Sequence, residues 1–390
     1  MEEVVKKPKH KSPSTIRCRK AHSLRQKLER KKNRPAINQR SVKLAQLTEL
    51  YGLPPETKFL FFKKGQTTPT RIHFGTVVCL DEDTSELLLV ARFVERTPTN
   101  LALFERYNHA ISTVYHHAKA RGIVKTNGAA KKVKAHLRKY GKMHAAGFRP
   151  GYDHIAKAGP YAFNATTSGQ LWRMQEDLER QGNLPAIEDF YAERFAGLSS
   201  YAFNSNAELA SRVGVPSWAG ESFYVSPNAQ VFASNIAVTY DEFYNAKHTD
   251  LDESKYTFGF FTRINRHTGK LYSLRNDPFQ GDSNGSQFFL DNYNVTVDFD
   301  ACDGVVEMLW ASQTDHHTSN SKTFNKNNVR VIPARGSITR FGCACQINKR
   351  LVERIQEVNN MRGDLCDDSR KKLVRLAEKK GIDDFALVFP

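Results

Sequence analysis

The sequence predicts an α+β fold: a β-sandwich or jelly roll toward the C-terminal side, helices before and after it, and a basic N-terminal tail without fixed structure. Three observations predict it. Short apolar or β-branched runs ended by Asp, Asn or Gly recur from Val231 to Ile347. Two stretches elsewhere carry apolar residues at helical spacing. The first forty or so residues are dense in Lys and Arg and poor in apolar side chains, too poor to form a core.

The tail, residues 1–45, contains Lys6-Lys7-Pro8-Lys9-His10-Lys11 and Arg30-Lys31-Lys32-Asn33-Arg34. Clusters of this kind serve as nuclear localisation signals or as sequence-independent DNA anchors, and the plain alternative is a solvated tail. Residues 46–390 are expected to form one domain, with helical and hairpin support over 46–218, the jelly-roll core over about 219–350 and closing helices over 351–390. From Lys58 to Phe93 the pattern runs in strand lengths, with Asp81-Glu82-Asp83 as a hairpin turn. Leu101, Phe104, Tyr107, Ile111, Val114 and Tyr115 then recur on one helix face. A second helical stretch follows the Thr126-Asn127-Gly128 break. Its Lys131, Lys132, Lys134, Arg138, Lys139 and Lys142 could follow phosphates, though a solvated face is the more common explanation for such a run. Ser168 suits the cap of a helix through Gln181, and Pro185 the first turn of the next.

In the core, Val231 to Tyr240 reads as a buried strand and Tyr256 to Thr262 as a second, followed by a turn at His267-Thr268-Gly269-Lys270 into Leu271–Leu274. Gln287–Leu290, Val295–Phe299 and Val305–Trp310 are further strands, and Arg340 opens the last. Leu351–Asn359 and Ser369–Lys380 read as helices.

The chemistry is concentrated in three segments: His248-Thr249-Asp250, His316-His317-Thr318, and Thr339-Arg340-Phe341-Gly342 with Gln346. Two imidazoles and one carboxylate in that order are a ligand set for iron(II) that leaves positions open for a co-substrate and dioxygen. With 13 histidines in the chain, His-x-carboxylate alone is weak, so order and context carry the weight. Residues two apart on a strand share a face, which brings His248 and Asp250 together. Alternation puts Arg340, Gly342, Ala344 and Gln346 on one face, an arginine followed by small side chains. The planar fork of Arg340 can hold the distal carboxylate of 2-oxoglutarate there, with Phe341, Cys343, Cys345 and Ile347 packed behind. Each residue has a plainer alternative: a surface His248, metal-free loop histidines at 316 and 317, a zinc site from the same ligands, and an edge arginine paired to a carboxylate.

These residues resemble the TET and J-binding-protein dioxygenases, iron(II)- and 2-oxoglutarate-dependent enzymes that oxidise modified bases in DNA, and most of all the compact fungal TET-like members. The resemblance rests on the aromatic run into Lys247-His248-Thr249-Asp250, on His316-His317-Thr318-Ser319, and on Thr339 to Lys349, within Ala219 to Arg350. Phe163-Asn164-Ala165-Thr166 to Gln181 is similar to the fungal members too. It implies a double-stranded β-helix core, with His248, Asp250 and His316 as metal ligands and catalytic residues and Arg340 as the 2-oxoglutarate clamp. His317 is the rival third ligand; the family's threonine two residues after the ligand, here Thr318, favours His316.

The implied activity is stepwise oxidation of 5-methylcytosine in DNA to hydroxymethyl, formyl and carboxyl products, using Fe(II), 2-oxoglutarate and O2, with ascorbate as a helpful reductant. The expected partner is duplex DNA with a flipped methylated base. The alternative substrate is N6-methyladenine, demethylated by the same chemistry; the alternative of another class is a non-catalytic DNA-binding module. Two departures bear on the base: Gly342 stands where the family often has serine, and a tyrosine further along that strand is absent. The longer stretch between His316 and Arg340, with Lys322, Lys326, Arg330 and Arg335, is expected either to touch the DNA backbone or to form a solvated loop.

Composition agrees with a polyanion partner. The net charge is +17 and the pI about 9.5, a positive field that attracts nucleic acid at long range. Six dispersed cysteines without a Cys-x-x-Cys pair argue against a cysteine-rich zinc extension and for a reducing compartment. No apolar run has the length of a membrane span and no signal peptide is evident, so the expectation is a nuclear protein with no membrane partner, acting as a monomer.

Overall fold

In a computed structural model of the protein, the structure describes residues 42–124, 142–151, 158–163, 171–220, 230–241, 243, 245, 247–272, 287–318 and 337–360. The chain divides into two units, 1–50 and 51–390; helical residues 42–50 (α1) are the described part of the first. The expected tail up to residue 41, the basic helix after Thr126 as far as residue 141, the Ser168 cap, the basic stretch from Lys322 to Arg335 and the helix from Ser369 lie outside the described residues, while Lys142, expected on that helix, instead opens the strand Lys142–Pro150.

The second unit is built on two sheets. The larger has nine strands in the order β1 (Lys58–Phe62), β3 (Thr76–Asp81), β4 (Leu87–Glu95), β11 (Gly304–Ala311), β8 (Tyr256–Asn265), β13 (Ile338–Gln346), β7 (Asn235–Tyr240), β5 (Lys142–Pro150) and β6 (Ala158–Pro160). The smaller has four, in the order β12 (His316–Thr318), β9 (Gln287–Leu290), β10 (Val295–Asp298) and β2 (Thr70–Ile72). Pairings are antiparallel except β1 with β3 and β2 with β10. The Lys58–Phe93 region is therefore part of the same sheet as the expected core, joined through β4 and β11 from Gly304↔Glu95 to Trp310↔Leu89.

Alternation along the strands explains the layers. Phe261 and Trp310 face the small sheet and join Phe288, Leu290, Val295 and Val297 in a dry core between the two sheets. Phe258 and Phe260, one place out of phase with Phe261, face the opposite way, onto helices. There α2 (Leu101–Lys119) and α3 (Leu171–Ala196) supply Tyr107, Phe190, Tyr191 and Phe195, with Phe195 stacked on Phe258 at 4.8 Å and Tyr191 against Phe260 at 4.3 Å. A further cluster joins α4 (Ser200–Val213), β5 and α5 (Lys349–Asn359) through Leu209, Phe148 and Leu351.

The expected helix face on α2 is present, Phe104, Tyr107, Ile111, Val114 and Tyr115 being buried, but Leu101 at its first turn is exposed. The expected break at Pro185 is corrected: α3 runs through it. Leu184, Ile187 and Tyr191 form one buried stripe across the proline, whose ring faces solvent, so burial of that stripe outweighs the lost hydrogen bond. The strand expected from Val231 begins only at Asn235; Val231 and Phe232 are buried without ladder pairing. The Asp81 turn is as expected, its Oδ1 accepting the Asp83 and Thr84 N–H groups at 2.9 and 2.8 Å. At the His267 turn, Gly269 takes φ +67° and donates to the Asn265 carbonyl at 2.8 Å, a conformation that suits glycine. None of the described helices is long and apolar enough to cross a membrane.

Candidate metal centre

β12 is the edge strand of the small sheet, and the segment carrying His248 pairs with its outer side. His248 and His316 form an antiparallel bridge, His248 N–H donating to the His316 carbonyl at 3.0 Å and His316 N–H to the His248 carbonyl at 2.9 Å. Their rings lie 4.4 Å apart. Two residues on, the Asp250 N–H donates to the Ser312 carbonyl at 3.1 Å, which ties the carboxylate to the end of β11. Asp250 Oδ1 is 3.3 Å from His248 Nε2 and its Oδ2 is 3.5 Å from His316 Nε2. One ligand atom from each of the three residues lies within 4.8 Å of the others, the one such group among the described residues.

The chemistry of this donor set fits a divalent metal. His316 Nδ1 is 2.8 Å from the Thr314 carbonyl, an acceptor only, so Nδ1 carries the proton and Nε2 presents its lone pair toward Asp250. Burial holds the His316 imidazole below the usual histidine range, against the pull of the Asp250 charge, which favours the neutral form a metal needs. His316 is 4% exposed, with Phe288 and Trp310 rings at 5.2 and 6.0 Å, so one side of the centre is apolar and dry. His248 and Asp250 side chains are 32% and 19% exposed and make the open side. Three donors on one side leave coordination positions free.

His317 does not join the cluster. Its Nδ1 pairs with Asp291 Oδ2 at 2.8 Å and its ring stacks on Phe289 at 4.6 Å. Thr318, by contrast, accepts the Asn245 N–H at 3.0 Å. Asn245 also places its side-chain amide 3.0 Å from His248 Nε2.

Arg340 is half-buried on β13, and its Nη2 donates to the Phe243 carbonyl at 2.8 Å. Phe243 thus meets the arginine, and His248 and Asp250, five and seven residues further on, are cluster residues. The packed face behind Arg340 is as expected: Phe341, Cys343, Cys345 and Ile347 are buried. The space over Gly342 is smaller than its missing side chain suggests, because a Cβ there would meet Thr239 Oγ1 at 2.9 Å and the Phe261 ring at 3.0 Å.

Sequence reasoning missed Asn245, the Thr314 carbonyl and Asp252. Asp252 is 4% exposed beside the cluster, and burial, followed by the Asp250 charge, pushes its carboxyl well above the usual range. The spacing Asp250-x-Asp252 was a visible signal; the carbonyl left none.

The model of one protein family, described as the Tet-like 2OG-Fe(II) oxygenase superfamily, matches residues 108–321, more than half of the chain. The matched span includes His248, Asp250 and His316 and ends before Arg340. No curated protein matches the chain.

Proposed function

Because the chain belongs to the Tet-like 2OG-Fe(II) oxygenase superfamily, whose members use Fe(II), 2-oxoglutarate and O2, we propose that it oxidises the methyl group of 5-methylcytosine in DNA. The observation that carries this reading is the His248–Asp250–His316 cluster, which lies inside the matched span. Zinc could accept the same donors, but an iron(II) site is what the family supplies. The DNA substrate draws its support from the Tet-like resemblance and the +17 net charge, since each phosphate contact adds a sequence-independent attraction. The basic clusters in the first 45 residues support a nuclear location on the same grounds.

Bound iron(II) with 2-oxoglutarate and O2 supplies the oxidising chemistry: the co-substrate goes to succinate and carbon dioxide and one oxygen atom is inserted into a substrate C–H bond. The protein's residues do the rest. His248, Asp250 and His316 would hold the metal, the backbone bridge setting the two histidines side by side. Thr314 keeps the His316 proton on Nδ1. Arg340 is the residue placed to clamp the distal carboxylate of 2-oxoglutarate. Phe288 and Trp310 exclude water behind His316. A base inside a duplex cannot reach a metal set into a sandwich edge, so the methylated nucleotide must leave the stack.

The test is mass spectrometry of nucleosides from two duplexes, one with 5-methylcytosine and one with N6-methyladenine, after incubation with protein, iron(II), 2-oxoglutarate and ascorbate. Hydroxymethyl, formyl or carboxyl cytosine is the expected result. Loss of N6-methyladenine with release of formaldehyde, and no change in cytosine, would overturn the choice of base. DNA binding with neither base altered would point to another substrate or a non-catalytic module.

A further inference from the structure

Directly after the ligand Asp250 comes Leu251, whose side chain is 71% exposed, the highest value for a large apolar residue among the described residues. Single exposed leucines are ordinary on protein surfaces. This one differs in how firmly its backbone is held. On its N-terminal side, the Asp250 N–H donates to the Ser312 carbonyl at 3.1 Å, and the Leu251 carbonyl itself accepts the Lys349 N–H at 3.3 Å. On the other side, the buried Asp252 forms an antiparallel bridge with Asn348, and the Glu253 N–H donates to the Ile347 carbonyl at 2.9 Å. The leucine therefore projects into water from a backbone fixed to the end of β11 and to the segment between β13 and α5.

Cationic side chains stand close by. Lys349, whose N–H meets the Leu251 carbonyl, and Arg350 are both exposed at the start of α5. Lys247, four residues before Leu251, is 51% exposed and pairs with Asp315 at 3.2 Å. Glu253 is the exposed carboxylate nearest to the leucine in sequence. An apolar side chain on a rigid stem with basic residues around it is the arrangement by which proteins part stacked bases: the cations hold phosphates and the apolar group enters the stack.

We propose that Leu251 enters the duplex as a wedge and fills the space vacated by the flipped nucleotide, an inference that rests on the reading of the metal centre as a site of DNA base oxidation. A methyl group that reaches the cluster has to arrive past the exposed sides of His248 and Asp250, because Phe288 and Trp310 close the side behind His316. Consecutive Cα atoms are about 3.8 Å apart, so Leu251 stands within a residue's length of that path. Extrusion of a base leaves its neighbours unstacked, and an apolar side chain in the gap restores contact and keeps water out. The fixed backbone presents the leucine at little cost in ordering. Its chain neighbours are otherwise engaged, Asp250 in the cluster and Asp252 in the interior.

The experiment follows the fluorescence intensity and anisotropy of 2-aminopurine placed beside 5-methylcytosine, in a duplex and in the same strand unpaired. Full-length protein loaded with manganese(II) and 2-oxoglutarate is titrated under nitrogen, comparing the parent with Leu251→Ala and Leu251→Met. The parent should brighten the duplex, since 2-aminopurine brightens when its neighbour leaves the stack. Leu251→Ala should bind the duplex roughly 10- to 50-fold more weakly, the share of burial carried by the carbons it lacks, and brighten it less at saturation. Its affinities for the single strand, which has no gap to fill, and for manganese should stay within about twofold of the parent. Leu251→Met, similar in volume, should behave as the parent does. A Leu251→Ala variant that matches the parent on the duplex overturns the proposal and leaves the base-oxidation reading standing. An equal loss on duplex and single strand also overturns it, by making Leu251 a plain surface contact. If the parent fails to bind DNA, or binds the duplex without brightening it, the flipped-base reading falls and takes the proposal with it. Leu251 is exposed, so Leu251→Ala should fold as the parent does; if it loses manganese, Leu251→Asn, of nearly the same shape but polar, decides in its place.

Discussion

His316 and His317 are adjacent in sequence and face opposite ways from β12: His316 turns to Asp250, with Nε2 3.5 Å from Oδ2, while His317 lies flat on Phe289, their planes 1° apart. That separation favours His316 over His317 as the proposed third ligand, a choice that the sequence leaves between two neighbours. We expect His316→Ala to abolish metal binding, since one of three donors goes. His317→Ala should bind metal normally and lose only its stacking and Asp291 contacts, about 1–2 kcal/mol of stability. Titration with cobalt(II), followed by its visible absorption, separates the two; loss of binding in His317→Ala alone would reverse the assignment.

The acid limb of the stability curve should be set by a buried polar cluster away from the metal centre. Burial holds His117 and His144 below the usual histidine range. Asp177, which burial alone would raise, is brought down to about 2 by hydrogen bonds from His117 and Arg121. All three folded-state values are depressed, so in each case the unfolded chain binds protons first. Their stabilisation is complete above the ordinary values, 6.5 for the histidines and 3.8 for Asp177, and is lost as pH falls through the folded ones. Urea unfolding should show stability falling from about pH 6.5 downward, first with the histidines and again below about pH 4. His144→Gln should flatten the first decline; an unchanged slope would exclude His144 as a contributor.

How much of this was legible in the sequence depends on whether the signal was local. The strand Gln287–Leu290 and the α2 face from Phe104 to Tyr115 follow from periodicity because each buries one side, whereas Gly304–Ala311, buried on both sides, is legible as an apolar run of strand length. His248 and Asp250 were legible from their spacing, and both present a ligand atom to one cluster. Pro185 misled because proline reports local backbone preference, whereas the stripe through Leu184 and Tyr191 is a tertiary fact. The joining of β4 to β11, across more than 200 residues of chain, left no local trace. Nor did the ion pair of Asp241 with Arg266, residues that belong to separate turns.

Glu307 shows a signal that was present and unused: a lone carboxylate in the apolar run Val305–Trp310. It is 0% exposed and receives Arg92 Nε and Arg194 Nε at 2.5 Å each, with the Tyr107 hydroxyl as a third donor. It ties β11 to β4, α2 and α3. Glu307→Leu would leave two arginines around an apolar side chain, and we expect a loss of roughly 3–5 kcal/mol, the usual cost of removing one partner of a buried ion pair. Denaturant melts measure it. A loss below about 1 kcal/mol would mean that both arginines reach solvent once the carboxylate is gone.

Gly342 offers the sharpest test of the proposed co-substrate face. Serine often stands at this place in the family that the sequence resembles, which suggests that Gly342→Ser should be harmless or even add a donor for 2-oxoglutarate. The local packing argues otherwise. A Cβ on residue 342 would sit 2.9 Å from Thr239 Oγ1 and 3.0 to 3.1 Å from two atoms of the Phe261 ring. That ring is stacked on Phe299 at 4.2 Å and cannot retreat without opening the inter-sheet core. Thr239 is held in turn by its hydrogen bond to the Gly342 carbonyl at 3.1 Å. The extra atoms should cost about 1–3 kcal/mol through overpacking. Since Gly342 is two places from Arg340 on the same face, the same shift should weaken 2-oxoglutarate binding rather than strengthen it. Paired thermal melts and 2-oxoglutarate titrations on Gly342→Ser check both parts. A variant as stable as the parent that binds 2-oxoglutarate more tightly would show that Phe261 yields, and that this glycine is a substitution the pocket tolerates rather than one its packing requires.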